Sequence, residues 1–239
     1  MVGRVARFAG GDAPPSDGAA ARAARRRVRG RALAIGLSVT PFAVSFGAVS
    51  VATGLSLLQT CLLSLLLFSG ASQFALVSIL GAGGSLGSAL APTLLLGVRN
   101  ALYGVSVRRL LGLPGWLRPV AAQVTIDEST AMALSETSSG LSAYAFWMTA
   151  LSVYVLWNAA TLIGALVGRG LGSLSTAGLD AAGPAAFVAL LAPRVRVVSM
   201  RVVALVGAGV ALLCVPVLPA GSPILLGGGV AALLAVVRR

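Results

Sequence analysis

The chain has 239 residues, 57% hydrophobic and 10% charged, with a mean hydropathy of +0.96, whereas an average soluble domain is about half apolar and a quarter charged, so a water-soluble core is excluded. All 18 basic residues are arginine, there is no histidine, and the six acids are Asp12, Asp17, Asp127, Glu128, Glu136 and Asp180, which rules out imidazole chemistry. Cys61 and Cys214 both lie in apolar runs and, with no histidine, fall short of the four nitrogen or sulfur ligands of a structural zinc site, so neither metal nor cofactor is expected.

Residues 1–30 are rich in Gly, Ala, Pro and Arg without apolar periodicity, and read as a disordered, Arg-rich cytoplasmic tail ahead of a transmembrane domain over 31–239. Half of the net charge of +12 falls within the first 31 residues. Beside a membrane span such a flank fixes topology rather than binding nucleic acid, because cytoplasmic loops are enriched in Lys and Arg. A first crossing is expected over about 32–52, bent at Thr40-Pro41, where the missing backbone donor breaks one helical bond. Residues 55–82 are apolar around Phe68-Ser-Gly-Ala-Ser-Gln-Phe74, and form either one long tilted helix or two half-helices meeting at Gly70. A third helix covers about 86–107 and ends on Arg108 and Arg109, with Arg118 soon after.

Val120–Leu134 is short for a span and follows Pro119, a residue suited to a helix start. A strong crossing is expected over 143–167, then a small-residue connector over 168–179 and an interrupted segment near Gly183-Pro184. Two more crossings follow near 202–218 and 222–237. The fold class is therefore an all-α polytopic integral membrane protein with about seven transmembrane segments, two of them broken or re-entrant. Re-entrant geometry at Gly70 keeps Arg108, Arg109 and Arg118 on the cytoplasmic side with the N-terminus, as the positive-inside trend asks. A weak internal echo relates Gly70-Ala-Ser-Gln-Phe74 to Gly183-Pro-Ala-Ala-Phe187. Paired interrupted helices in two halves of a chain point to a transporter site.

Few residues can carry chemistry. Arg99 sits mid-helix, where a charge at membrane depth must face protein or water, and Tyr103 and Ser106 share its stripe with Asn100 at the border. Asp127 and Glu128 are adjacent acids in an apolar segment, pointing about 100° apart on a helix. One can pair with Arg99 while the other faces a pathway, and an acid held between burial and a nearby arginine suits proton coupling. Gln123, four residues before Asp127, is expected to set an amide beside that carboxylate. Ser72 and Gln73 lie next to Gly70, and a helix starting there aims free backbone donors at an anion such as a substrate carboxylate. Gly70, Ser72, Gln73, Arg99, Asn100 and Tyr103 are thus the substrate-binding candidates, with Asp127 and Glu128 for proton coupling. Tyr154, Asn158 and Thr161 form a further polar stripe, read as interhelical hydrogen bonding.

Phe68-Ser-Gly-Ala-Ser-Gln-Phe74, Val98-Arg-Asn-Ala-Leu-Tyr103, Thr125-Ile-Asp-Glu-Ser129 and Gly178-Leu-Asp-Ala-Ala-Gly-Pro-Ala-Ala-Phe187 occur in an order and spacing that resembles the AzlC-type (azaleucine resistance) branched-chain amino-acid permeases over about residues 30–235. The resemblance implies a multi-pass protein of the bacterial inner membrane that exports leucine, isoleucine, valine and sometimes methionine on the proton gradient. It also implies a small AzlD-type membrane subunit as partner. The family commonly reads Asn-x-Arg-His where this chain has Gly97 and Asn100 in place of the asparagine and histidine, so a proton route through that histidine is closed here and weight shifts to Asp127 and Glu128. A channel or a structural membrane subunit for another small solute is the alternative. An enzyme is disfavoured, since a serine site of rhomboid type needs a histidine and Asp180 lies in a Gly-rich connector.

Overall fold

A computed structural model describes residues 17–136, 138–170, 188, 192, 194–219 and 221–237. All regular structure among them is helical: α1 (Asp17–Ala52), α2 (Leu57–Leu66), α3 (Gly70–Gly81), α4 (Leu86–Leu111), α5 (Arg118–Gln123), α6 (Asp127–Leu134), α7 (Ser139–Gly170), α8 (Val198–Cys214) and α9 (Ser222–Val237), with 3-10 turns at Gly115–Leu117 and Arg194–Arg196. The protein is an all-α membrane protein. Among the described residues α1, α4 and α7 are long and apolar enough to cross a bilayer, whereas α8 and α9, at 17 and 16 residues, fall short of the roughly 20 that a full span takes. The echo at Gly183–Phe187, the segment near Gly183-Pro184, and Asp180 lie outside the described residues.

The first helix corrects one expectation. It starts at Asp17, so residues 17–30, expected to be disordered, are its opening turns. Two reasons suffice, one local and one distant. Ala and Arg are strong helix formers and no proline follows Pro15 in this stretch, and Glu136 accepts from Arg27 Nη2 at 3.0 Å and Arg31 Nη1 at 3.2 Å. Pro41 lies inside the helix as expected, and the neighbouring Thr40 hydroxyl donates to Gly36 O at 3.0 Å.

α1 and α7 form the central pair, and they run parallel. Val28 packs with Ala145, Gly36 lies against Ser152, Gly47 against the backbone of Thr161 and Ala165, Gly164 against the backbone of Val44, and Gly168 against Ala48. The matched positions advance together along both helices. Small residues allow this approach, since a Cβ at Gly47 or Gly164 would enter backbone atoms of the other helix. With no hydrophobic drive between helices in lipid, such close van der Waals packing is what holds them.

The segment 55–82 is two helices, broken at 67–69, and it is re-entrant. α2 starts beside the C-terminus of α1, and α3 returns to the same place, where Gly81 lies against Thr53. α4 then runs back along α3, with Gly97 facing Ser72 and Ala89 packed with Ile79. It ends at Gly112, whose left-handed φ of 55° lets its N–H close on Arg108 O. That end also holds the α1 N-terminus and Glu136: Val107, Ala121, Ala133 and Phe146 form one cluster there, and Val28, Met132 and Ala145 another. Arg108, Arg109 and Arg118 thus share an end of the molecule with Arg22–Arg31, here termed the arginine end.

The segment expected as one short helix over 120–134 is also broken. α5 enters from the arginine end, Val124–Ile126 is extended or irregular, and α6 returns to Glu136 at the same end. Three β-branched residues in a row disfavour continued helix. The Ser129 hydroxyl accepts from Ile126 N at 3.1 Å and starts the new helix, with Asp127 and Glu128 in its first turn, where the helix dipole favours negative charge. Two re-entrant pairs, entering from opposite ends, therefore meet tip to tip within the bundle.

Candidate functional site

The tips are tied by side chains reaching across the gap. Gln123 Nε2 donates to Leu65 O at 2.9 Å and Leu66 O at 3.0 Å, and the Tyr154 hydroxyl donates to Leu65 O at 3.2 Å. Gln73 Nε2 lies 3.4 Å from both Leu63 O and Ser64 O. Leu63 O also accepts from Leu67 N at 3.0 Å, and the later carbonyls of α2, left over at the helix end, are met by neutral side-chain donors. Gln123 does not stand beside Asp127 as expected, because the helix that would have aligned them breaks between the two.

Around these tips lies a cavity of about 100 Å³, lined by Val39, Phe42, Phe68, Ser69, Gly70, Ala71, Phe74, Arg99, Ile126, Asp127, Glu128, Val153 and Trp157. Its polar residues gather on one side. Arg99 Nη1, halfway along α4, donates to Asp127 Oδ2 at 2.8 Å, each side chain about one-third exposed. Arg99 Nε and Asp127 Oδ1 are buried and make no hydrogen bond among the described residues, so the pair keeps one donor and one acceptor free. Glu128 is next to them.

The other polar element is backbone. α3 begins at Gly70 with Ser69 as its cap, and no side chain caps the first turn. The Ser69 hydroxyl turns instead to Ser72 Oγ at 3.2 Å, and the first intrahelical bond here is Gln73 N to Ser69 O. The N–H groups of Gly70 and Ala71 therefore keep their donors at the cavity, at the positive end of a helix dipole. Gly70 has a second reason to be glycine. A Cβ would stand 3.1 Å from the Trp157 ring, so the indole is seated on the first turn of α3. The remaining wall is apolar and aromatic, with Phe46 edge-on to Phe74 and Phe68 edge-on to Tyr154 behind it.

Of the eight candidate residues, the fold brings Gly70, Arg99, Asp127 and Glu128 together at this cavity. Ser72 and Gln73 are fully buried behind it, Ser72 toward α4 and Gln73 toward the end of α2. Asn100 and Tyr103 are on α4 but do not line it; Asn100 Oδ1 is buried without a hydrogen bond among the described residues. Two members of the polar stripe on α7 bond between helices as read from the sequence, Tyr154 to Leu65 O and Thr161 Oγ1 with Ser64 Oγ at 3.2 Å, whereas Asn158 Nδ2 donates within α7 to Tyr154 O at 2.8 Å. Sequence reasoning missed the apolar wall, since Val39, Phe42, Val153 and Trp157 look like any other membrane residues. The break at Val124–Ile126 did carry a signal, two acids at the start of a helical pattern.

The comparisons bear on the same region. The chain matches the AzlC protein family over residues 34–171, from α1 to the end of α7. It is 35% identical over 197 residues to the inner membrane protein YgaZ of Escherichia coli K12, covering 77% of this chain and 80% of that protein. It is 27% identical over 173 residues to an uncharacterized membrane protein of Helicobacter pylori, covering 72% of this chain and 75% of that one. No solved structure matches the chain. With more than half its length inside the family match and a one-third-identical relative spanning most of both proteins, the chain belongs to the AzlC family of membrane proteins.

Proposed function

We propose that this AzlC-family protein exports branched-chain amino acids across the bacterial inner membrane, driven by protons, with its N-terminus cytoplasmic and a small AzlD-type subunit beside it. The observation that carries the reading is the composition of the cavity between the tips: a guanidinium, two acids and uncapped helix N–H groups on one side, aliphatic and aromatic walls on the other. An aliphatic amino acid has the matching parts. Its carboxylate suits Arg99 and the first turn of α3, its ammonium suits Glu128 or Asp127, and its side chain suits Phe42, Phe68, Val153 and Trp157. The cavity measures about 100 Å³ and lies where the two tips meet, so a carrier would pass leucine from one face to the other by parting the tips. One acid paired with Arg99 and another unpaired beside it gives a proton a place to ride when the ion pair exchanges for substrate.

The test is leucine counterflow in proteoliposomes containing the full chain, with and without a co-purified partner. Saturable counterflow that Arg99→Gln abolishes at equal protein level is expected. Non-saturating flux would favour the channel reading, and wild-type flux in Arg99→Gln would remove Arg99 from recognition.

A further inference from the structure

The arginines of α1 divide into two sets with different surroundings. Arg27 and Arg31, 59% and 47% exposed, share Glu136, whose side chain is 5% exposed, and Val28 beside them is fully buried. Arg22, Arg25, Arg26 and Arg29 stand at i, i+3, i+4 and i+7, which is one face of a helix. All four are exposed, and together with Ala23 and Tyr144 they line an open groove. Among the residues whose side chains are described none of them has a carboxylate partner. Glu136 is held by Arg27 and Arg31, Asp127 by Arg99, and Glu128 belongs to the cavity between the tips.

The same face continues into lipid. One turn beyond Arg29 comes Leu33 and one further Leu37, 53% and 54% exposed, where the helix meets hydrocarbon. At 1.5 Å per residue Arg29 and Arg26 stand roughly 6 and 10 Å above Leu33, Arg25 about 12 Å and Arg22 about 16 Å. The polar layer of a bilayer occupies roughly 5–8 Å on each side of the hydrocarbon, and an arginine side chain spans the remainder by leaning toward it. Aromatic residues mark the same depth. Trp116 is 75% exposed at this end, Tyr144 sits under Arg25 with the guanidinium 5.3 Å from its ring, and such residues gather at the membrane–water interface.

We propose that the groove of Arg22, Arg25, Arg26, Arg29 and Tyr144 is a binding site for the phosphate of an anionic glycerophospholipid. Guanidinium forks pair with phosphate oxygens in two parallel bonds, Arg29 and Arg26 stand closest to the depth where lipid phosphates lie, and four like charges on one exposed face attract an anion. The lipid would hold the arginine extension of α1 against Tyr144 at the base of α7, the helix paired with α1 along its length. Arg27 and Arg31, tied to Glu136, fix the rotation of α1 that presents the other four.

The experiment is native mass spectrometry of the full chain in neutral detergent, with dioleoylphosphatidylglycerol or dioleoylphosphatidylcholine added. The wild type should retain phosphatidylglycerol at least tenfold better than phosphatidylcholine, and R26Q/R29Q should lose most of that preference, since each basic residue near the surface contributes measurably to anionic-lipid binding. R108Q/R109Q removes the same charge from exposed residues at the same end and should retain it. Helix content by circular dichroism checks that the variants are folded. The proposal is overturned if the wild type shows no preference, if R108Q/R109Q lowers retention as much as R26Q/R29Q, or if millimolar inorganic phosphate displaces the lipid, since the site would then take free phosphate.

Discussion

Arg99 and Asp127 lend themselves to a double-substitution cycle whose size follows from the geometry. Unit charges about 4 Å apart attract by roughly 1 kcal/mol in water and about 4 kcal/mol at an effective dielectric of 20. The pair meets at 2.8 Å with side chains 32% and 35% exposed, between exposed pairs, worth about 0.2–1 kcal/mol, and buried pairs, which cost about 3–5 kcal/mol to break. A coupling of about 1–3 kcal/mol is expected. The two single variants should differ. Arg99→Gln leaves Asp127 and Glu128 side by side with no cation among the residues that line the cavity, whereas Asp127→Asn leaves Arg99 with Glu128 as a second acid nearby. Arg99→Gln should therefore lower the unfolding temperature more than Asp127→Asn, and the double variant Arg99→Gln/Asp127→Asn should recover part of the loss. At about 2–4 °C per kcal/mol for a chain of this size, the coupling is worth a few to about 10 °C, read by thermal unfolding of purified protein at one scan rate. Additive losses in the double variant, or Asp127→Asn as the costlier single change, would refute the reasoning.

Gly164→Ala puts a methyl group into the backbone of Val44 and should destabilise by about 1–3 kcal/mol, while Gly209→Ala, with open space around it, should stabilise slightly through helix propensity; thermal unfolding that fails to separate the two would contradict the parallel α1–α7 contact. Glu128→Gln should abolish leucine accumulation driven by a pH gradient in inverted vesicles while sparing some exchange at zero gradient, and normal accumulation would free Glu128 from coupling. Gln123→Leu removes the donor of Leu66 O and leaves Leu65 O with the Tyr154 hydroxyl alone, loosening the link between the tips; a cysteine at position 67 in a background lacking Cys61 and Cys214 should then react faster with a thiol reagent, and an unchanged rate would show that the tips do not depend on it. In the same background, cysteines at positions 24 and 112 should be labelled from one side of the membrane and one at position 83 from the other, and labelling of 24 and 112 from opposite sides would break the arginine end.

Composition and run length were enough to read the class and the long helices α1, α4 and α7, because apolar runs are written directly in the residues; at Gly70 they left one tilted helix or two half-helices open, and the placement of Arg108, Arg109 and Arg118 favoured the break. The break at Val124–Ile126 was harder, since fifteen mostly apolar residues look like one short helix until Asp127 and Glu128 are taken as a first turn. The extension of α1 back to Asp17 depends on Glu136, more than a hundred residues away, and no local pattern announces that partner. The site was half legible. Arg99, Asp127 and Glu128 stand out because charge at membrane depth is costly. Ser72 and Gln73, one and two residues from a cavity wall, point away from it for reasons of helical phase that depend on where α4 and α2 lie. Trp157 and Phe42 carry no distinguishing chemistry until α1, α3 and α7 converge.

The two breaks differ in what they leave open, and that difference orders the site. At the first, the C-terminal carbonyls of α2 are answered by Gln73, Gln123 and Tyr154, all neutral donors, so no cation is called for there. The N-terminus of α3, three residues on, has no side-chain cap and keeps its positive end open to the cavity. At the second break the N-terminus of α6 carries its own counter-charge, Asp127 and Glu128, in the first turn. One half-helix therefore offers an anion site and the other has already filled its own with carboxylates, with Arg99 joined to the nearer acid across the gap. Under the proposed function an incoming carboxylate would be drawn to α3 and to Arg99, and an ammonium to α6. Each charge of a zwitterion would then have its partner on a different re-entrant pair, so that a bound amino acid would bridge the two tips and movement of one pair against the other would change both contacts at once.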